Sequence, residues 1–148
     1  MTPQLYTALK WGALLGGPLA LFETWSEIVT LNAQNPADPA IAFCLGTLLE
    51  AMIPLIAGWL AARSTGDRRS GLIAGLAAAA IVALVNIVAE QVLPVASAAA
   101  AGDQATTVAD AIASWVLARA ITLGFGAWFG WLGGRLGVMT IPPASPPR

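Results

Sequence analysis

The sequence predicts an all-α fold: a polytopic membrane protein with four transmembrane helices in a single domain over residues 1–148. Three observations carry this reading. Of the 148 residues, 57% are hydrophobic and only 10% charged, where soluble domains carry about 25% charge, and the mean hydropathy is +0.74. Four apolar stretches each reach the roughly 20 residues that a helix needs to cross a bilayer. The basic residues are confined to alternate connections, as the positive-inside rule requires.

The first span is expected over about residues 7–31, from Thr7 to Leu31. Its apolar run after Lys10 passes straight into Glu23 and Glu27 without a small-residue cleavage site, so it reads as a retained span rather than a secretory signal. A short connection rich in Asn and Pro, Asn32 to Asp38, leads to a second span over 40–63. Asp38 serves there as N-cap, with Pro39 in the first helical position. Gly66 is the expected helix stop between spans two and three. The third span covers 69–95, and the Ala-rich link Ser97 to Thr106 either prolongs it or lies at the interface. The fourth covers 108–134, opened by Thr107 and Asp110 in capping-box spacing. The tail, residues 142–148, holds four prolines in seven residues and is expected to be extended and disordered.

Orientation follows from charge. Lys10 opens span one, Arg63, Arg68 and Arg69 lie between spans two and three, and Arg135 and Arg148 follow span four. The other two connections hold no Lys or Arg, so both termini are expected in the cytoplasm of a multi-pass cell-membrane protein. Trp11, Trp59, Trp128 and Trp131 then fall near the cytoplasmic interface, while Trp25 and Trp115 lie deeper on the other side.

Composition also removes whole classes of function. The net charge of −1 and the lack of any basic stripe argue against nucleic acid. A single cysteine, Cys44, excludes an internal disulfide and any CxxC metal site, and there is no histidine to act as base or ligand. No metal and no cofactor are expected. An intramembrane enzyme is the weakest reading, because only carboxylate chemistry remains and no nucleophile and base pair stands out. The expected partners are the lipid bilayer and either further copies of the chain or a larger membrane complex.

What calls for explanation is the set of ionisable groups inside the spans. Glu23, Glu50, Glu90 and Arg119 each interrupt an apolar run, and Glu27 lies one turn beyond Glu23. A charge at mid-membrane costs roughly 2.5–3.5 kcal/mol on the lenient insertion scale. Counting along each span puts Glu50, Arg119 and Glu23 within roughly 5 Å of the midplane, with Glu27 and Glu90 about 10 Å outward, where water suffices to explain them. Arg119 is placed to meet Glu50, Glu23 or both, and its pairing with Glu50 is the expected structural ion pair. One arginine cannot answer four glutamates, and Glu23 is left as the residue without an internal explanation. Trp115, one turn from Arg119, is positioned to stack on the guanidinium.

Helical periodicity groups these residues with glycines. Gly12, Gly16, Glu23 and Glu27 share a face of helix one. Gly71, Gly75, Asn86 and Glu90 share one on helix three, and Trp115, Arg119, Gly126, Gly130 and Gly134 share one on helix four. Gly46, Glu50 and Ala57 mark a weaker face on helix two. Small residues favour close helix approach and charges avoid lipid, so these faces should point inward. The glycines crowd the cytoplasmic halves and the acids lie from the midplane outward. This predicts a bundle tight at one end and splayed at the other, with Pro18, Pro54 and Pro94 as possible bends and an acidic cavity opening outward.

A weak internal repeat is also present. Helices one and three align with Gly12 over Gly71 and Gly16 over Gly75; helix two ends GWLAAR from Gly58 and helix four GWLGGR from Gly130. The alignment sets Thr47 against Arg119 and Glu50 against Thr122. Two duplicated hairpins are one explanation, and chance likeness between Ala- and Gly-rich helices is the other. Two functions are therefore expected as alternatives. In one, Glu23, Glu50, Arg119, Asn86, Glu27, Glu90 and Trp115 form a proton-, cation- or cationic-solute-binding site in an outward cavity. In the other, the chain is a non-catalytic subunit of a larger membrane complex.

Overall fold

The computed structural model describes residues 2–32, 39–92 and 108–140. Among the described residues there are four helices: α1 (Pro3–Asn32), α2 (Pro39–Thr65), α3 (Arg68–Val92) and α4 (Val108–Met139). Two of them, α3 and α4, carry stretches long and apolar enough to cross a membrane, Arg68–Ala89 and Trp115–Met139. Asp38, Thr107, Pro94, the link Ser97 to Thr106 and the tail from Pro142 fall outside the described residues.

The helix ends follow local chemistry. α1 begins four residues before the expected Thr7, because Thr2 and Pro3 form a start signal of the same kind as the one read at Asp38 and Pro39. Thr2 Oγ1 accepts from Leu5 N at 3.4 Å, and Pro at the first position loses no helical donor. Between α2 and α3, Gly66 takes a left-handed φ of 72°, and its N donates to Ala62 O at 2.8 Å, which closes α2 as expected of a glycine stop. Asp67 Oδ1 then accepts from Arg69 N at 2.9 Å and caps α3. The buried Ser70 hydroxyl is held by Thr65 Oγ1 at 2.6 Å and by Asp67 O. α1 and α2 run unbroken through Pro18 and Pro54.

The bundle is rhombic. α1 packs on α2 and α3, α4 packs on α2 and α3, and α2 and α3 touch across the short diagonal, which sets α1 and α4 on opposite sides. Small residues make the seams. Gly12 and Gly16 of α1 lie against Ala74, Ala77 and Ala78 of α3. Gly71 and Gly75 of α3 interlock with Gly126, Gly130 and Gly134 of α4, and Gly58 of α2 meets Gly130. Gly133 and Gly137 of α4 receive the α2 backbone at Leu55 and Trp59. The last contact explains why α4 runs to Met139, past the expected end at Gly134: its final turn is docked on α2, and Thr140 Oγ1 accepts from Trp59 Nε1 at 3.3 Å. Backbones this close gain dispersion contacts that bulkier side chains would prevent.

The expected inward faces hold for Gly12, Gly16, Gly71, Gly75, Gly126, Gly130 and Gly134 but not for Gly46, where an added Cβ would meet nothing within 4 Å; Gly17 and Gly124, which belong to none of those faces, also have open space there. The fully buried side chains are mostly alanines, Ala8, Ala57, Ala61, Ala62, Ala74 and Ala78, set in the glycine-packed half. Towards the other end the bundle loosens. On α4, Ile112, Trp115, Val116, Leu117 and Ile121 are all exposed, as are Leu21, Phe22 and Trp25 on α1. Large apolar side chains also lie bare on α2 and α3, including Leu48, Met52, Leu84 and Val88.

Candidate functional site

All four helices meet in one layer just beyond the last glycine contacts. Leu19 of α1, Glu50 and Pro54 of α2, Ala79 and Val82 of α3, and Thr122, Phe125 and Gly126 of α4 line a small interior cavity. It has about 10 Å³ of room for the centre of a water molecule, the least that holds one. Glu50 is half-buried there, and no hydrogen bond or ion pair reaches its carboxylate from any described residue. Thr122 Oγ1 donates to Ala118 O at 3.2 Å, so its lone pairs remain available as acceptors.

One turn further from the glycine-packed end, Asn86 Nδ2 of α3 donates to Glu23 Oε2 of α1 at 3.2 Å. Glu23 Oε1 is itself shut off from solvent. Arg119 lies three residues before Thr122, about 4.5 Å along α4 and so at the level of Glu23 and Asn86. It is half-buried with its Nε enclosed, and its Cζ stands 5.8 Å from the centroid of the Trp115 ring. The stacking read from their spacing is thus present, although Trp115 itself is exposed. Glu27 and Glu90 lie on helical backbone, but their side chains are outside the described residues.

This geometry exchanges the roles expected of two glutamates. Among the described residues no ion pair joins Glu50 to Arg119, so the expected structural pair is corrected: Glu50 looks instead into an apolar-walled cavity. Glu23 has an internal partner in Asn86. The reason is register. The repeat alignment sets Val82 opposite Glu23, but the α1–α3 seam is shifted by one turn and brings Asn86 there instead. α2 and α4 keep the alignment, since Gly58 meets Gly130, and Glu50 and Pro54 share the cavity with their counterparts Thr122 and Gly126. Thr122 was the residue missed as a site member, and its place opposite Glu50 in the repeat was the available signal.

The opposite end of the bundle is basic and aromatic. Arg63 Cζ stands 5.1 Å from the Trp59 ring centroid and Arg135 Cζ 4.9 Å from that of Trp131, so the two GWLxxR segments adopt the same stacked pair. Arg68 shares this end, because its carbonyl abuts Gly134. Among the described residues no group of three or more acidic, Cys or His side chains is placed to hold a metal ion. No protein-family model matches the chain, and no curated protein and no solved structure is detectably similar to it.

Proposed function

We propose that the chain is a four-span membrane protein whose polar layer binds, or helps move, a proton, a cation or a small cationic solute. The single observation that carries this reading is the Glu50 carboxylate, set in an interior cavity built by all four helices without a compensating cation or donor among the described residues. A carboxyl group in such surroundings is costly to keep unless something positive visits it. Glu23, hydrogen-bonded to Asn86, lies one turn nearer the loosened end and forms the next station. Arg119, held beside Trp115, biases the local field against indiscriminate cation entry.

The remaining parts of the proposal rest on shape and charge. α1 and α2 span 30 and 27 residues, long enough to cross a bilayer beside α3 and α4. The collar of Trp59, Arg63, Arg68, Trp131 and Arg135 suits the cytoplasmic headgroup region and leaves the acidic layer towards the outside, with both termini cytoplasmic. Two ancestral hairpins account for the matching GWLxxR ends. The test is ion flux into proteoliposomes: Glu50→Gln and Glu23→Gln are expected to abolish or sharply reduce it, and undiminished flux in both variants sinks the reading.

A second reading is favoured by one observation, the exposure of α4 from Ile112 to Phe125 on nearly every side. A span so little covered by its own chain suits a subunit that docks on further copies or on a larger membrane complex. Gentle detergent extraction that yields a stoichiometric partner, without which the chain does not fold, would favour it.

A further inference from the structure

We infer that the ion served by the Glu50 cavity is the proton, carried with at most one water molecule, and not a metal ion or an organic cation. This rests on the transport reading above and narrows it. The first ground is size. About 10 Å³ for a water centre is room for one water, and a methylated ammonium or a hydrated metal ion would have to enlarge the cavity to enter.

The second ground is the donor set. Hard metal cations strip their water only for a shell of about six oxygens. Of the eight residues lining the cavity, only Glu50 and Thr122 bring side-chain oxygens; Leu19, Pro54, Ala79, Val82, Phe125 and Gly126 bring none. Even with one water and the Glu50 backbone carbonyl left without its helical donor by Pro54, two carboxylate oxygens and one hydroxyl make five oxygens, short of that shell and more than a proton needs. The proton adds to a Glu50 carboxylate oxygen and no other bond changes. The resulting O–H needs one acceptor, directly or through the single water.

The third ground is Pro54. It lies inside α2 and lines the cavity, and a proline cannot donate to the carbonyl four residues earlier. That carbonyl belongs to Glu50. The residue that takes the proton therefore also carries a backbone acceptor released from its helical bond, and with Thr122 Oγ1 this supplies acceptors for the carboxyl O–H and its water. The loss of charge on protonation removes the need for a counter-ion, which fits a carboxyl group without one among the described residues.

The experiment compares three gradients across proteoliposomes holding the full chain: protons read by an enclosed pH dye, ²²Na⁺, and tetramethylammonium. The wild type is expected to pass protons and to leave the other two at the level of empty vesicles. Glu50→Gln should remove the proton flux. Pro54→Ala, which restores the helical donor and keeps the helix, should lower it about tenfold, the change for one lost hydrogen bond. Glu50-dependent Na⁺ or tetramethylammonium flux overturns this inference and leaves the broader transport reading standing. If none of the three fluxes depends on Glu50, both fall. Should Glu50→Gln fail to fold, Pro54→Ala and Thr122→Val decide: proton flux unchanged in both overturns the inference.

Discussion

Replacing Gly130 by alanine tests the packing most directly. An added Cβ at Gly130 stands 2.7 Å from Gly71 O, 2.7 Å from Gly75 Cα and 3.0 Å from Gly75 N, where ordinary contact begins at 3.4 Å. All three atoms are backbone, so no side chain can rotate away; α3 and α4 must separate by several tenths of an ångström along a seam that also holds Gly126 and Gly134. Overpacking of this kind costs about 1–3 kcal/mol. Alanine is also a better helix former than glycine by about 0.5–1 kcal/mol, and this offsets part of the loss. The control is Gly124→Ala, six residues earlier on the same helix, where nothing lies within 4 Å of the new Cβ. Both variants gain the same propensity, so the difference between them isolates the seam and should be about 1–3 kcal/mol. Reversible unfolding in mixed micelles, followed by circular dichroism, measures it. Equal stabilities of the two variants, or a greater loss at Gly124, refute the proposed α3–α4 contact.

Other outcomes follow from the same geometry. A double-mutant cycle on Glu23→Ala and Asn86→Ala should give a coupling of about 0.6–1.7 kcal/mol, the range for interhelical hydrogen bonds in membranes; a coupling indistinguishable from zero removes that bond. With Cys44 replaced by Ala, a single cysteine at Ser64 or at Thr140 should resist an impermeant maleimide in intact cells and react once they are opened; labelling from outside reverses the proposed orientation. Glu50→Gln should lower flux without lowering stability, because the exchange removes a charge that no described residue pairs, and the same unfolding assay checks it. A matched loss of stability and flux would make Glu50 structural.

The exchange of roles between Glu23 and Glu50 shows where reading the chain alone stops. Which faces turn inward was legible for Gly12, Gly16, Gly71, Gly75, Gly126 and Gly130, since helical periodicity is a local property. Which face meets which helix was not. Gly12 and Gly16 rest on alanines of α3, whereas the glycines of α3 turn to α4, and no spacing within one helix states that choice. Depth counting put Glu50 and Arg119 at one level and so paired them. It could not register that Thr122, not Arg119, is the α4 residue facing Glu50.

What the sequence determined by itself is what single helices decide: four helical segments, their apolar character, the stop at Gly66 and the start at Pro39. Apolar run length, capping and glycine conformation act within a few residues of chain, so they can be read there. The tertiary structure alone decided the one-turn shift between α1 and α3, the docking of the last turn of α4 on Trp59, and the cavity at Glu50. Those depend on how glycine grooves of one helix fit the backbone of another, a complementarity shared between distant segments and written in neither of them.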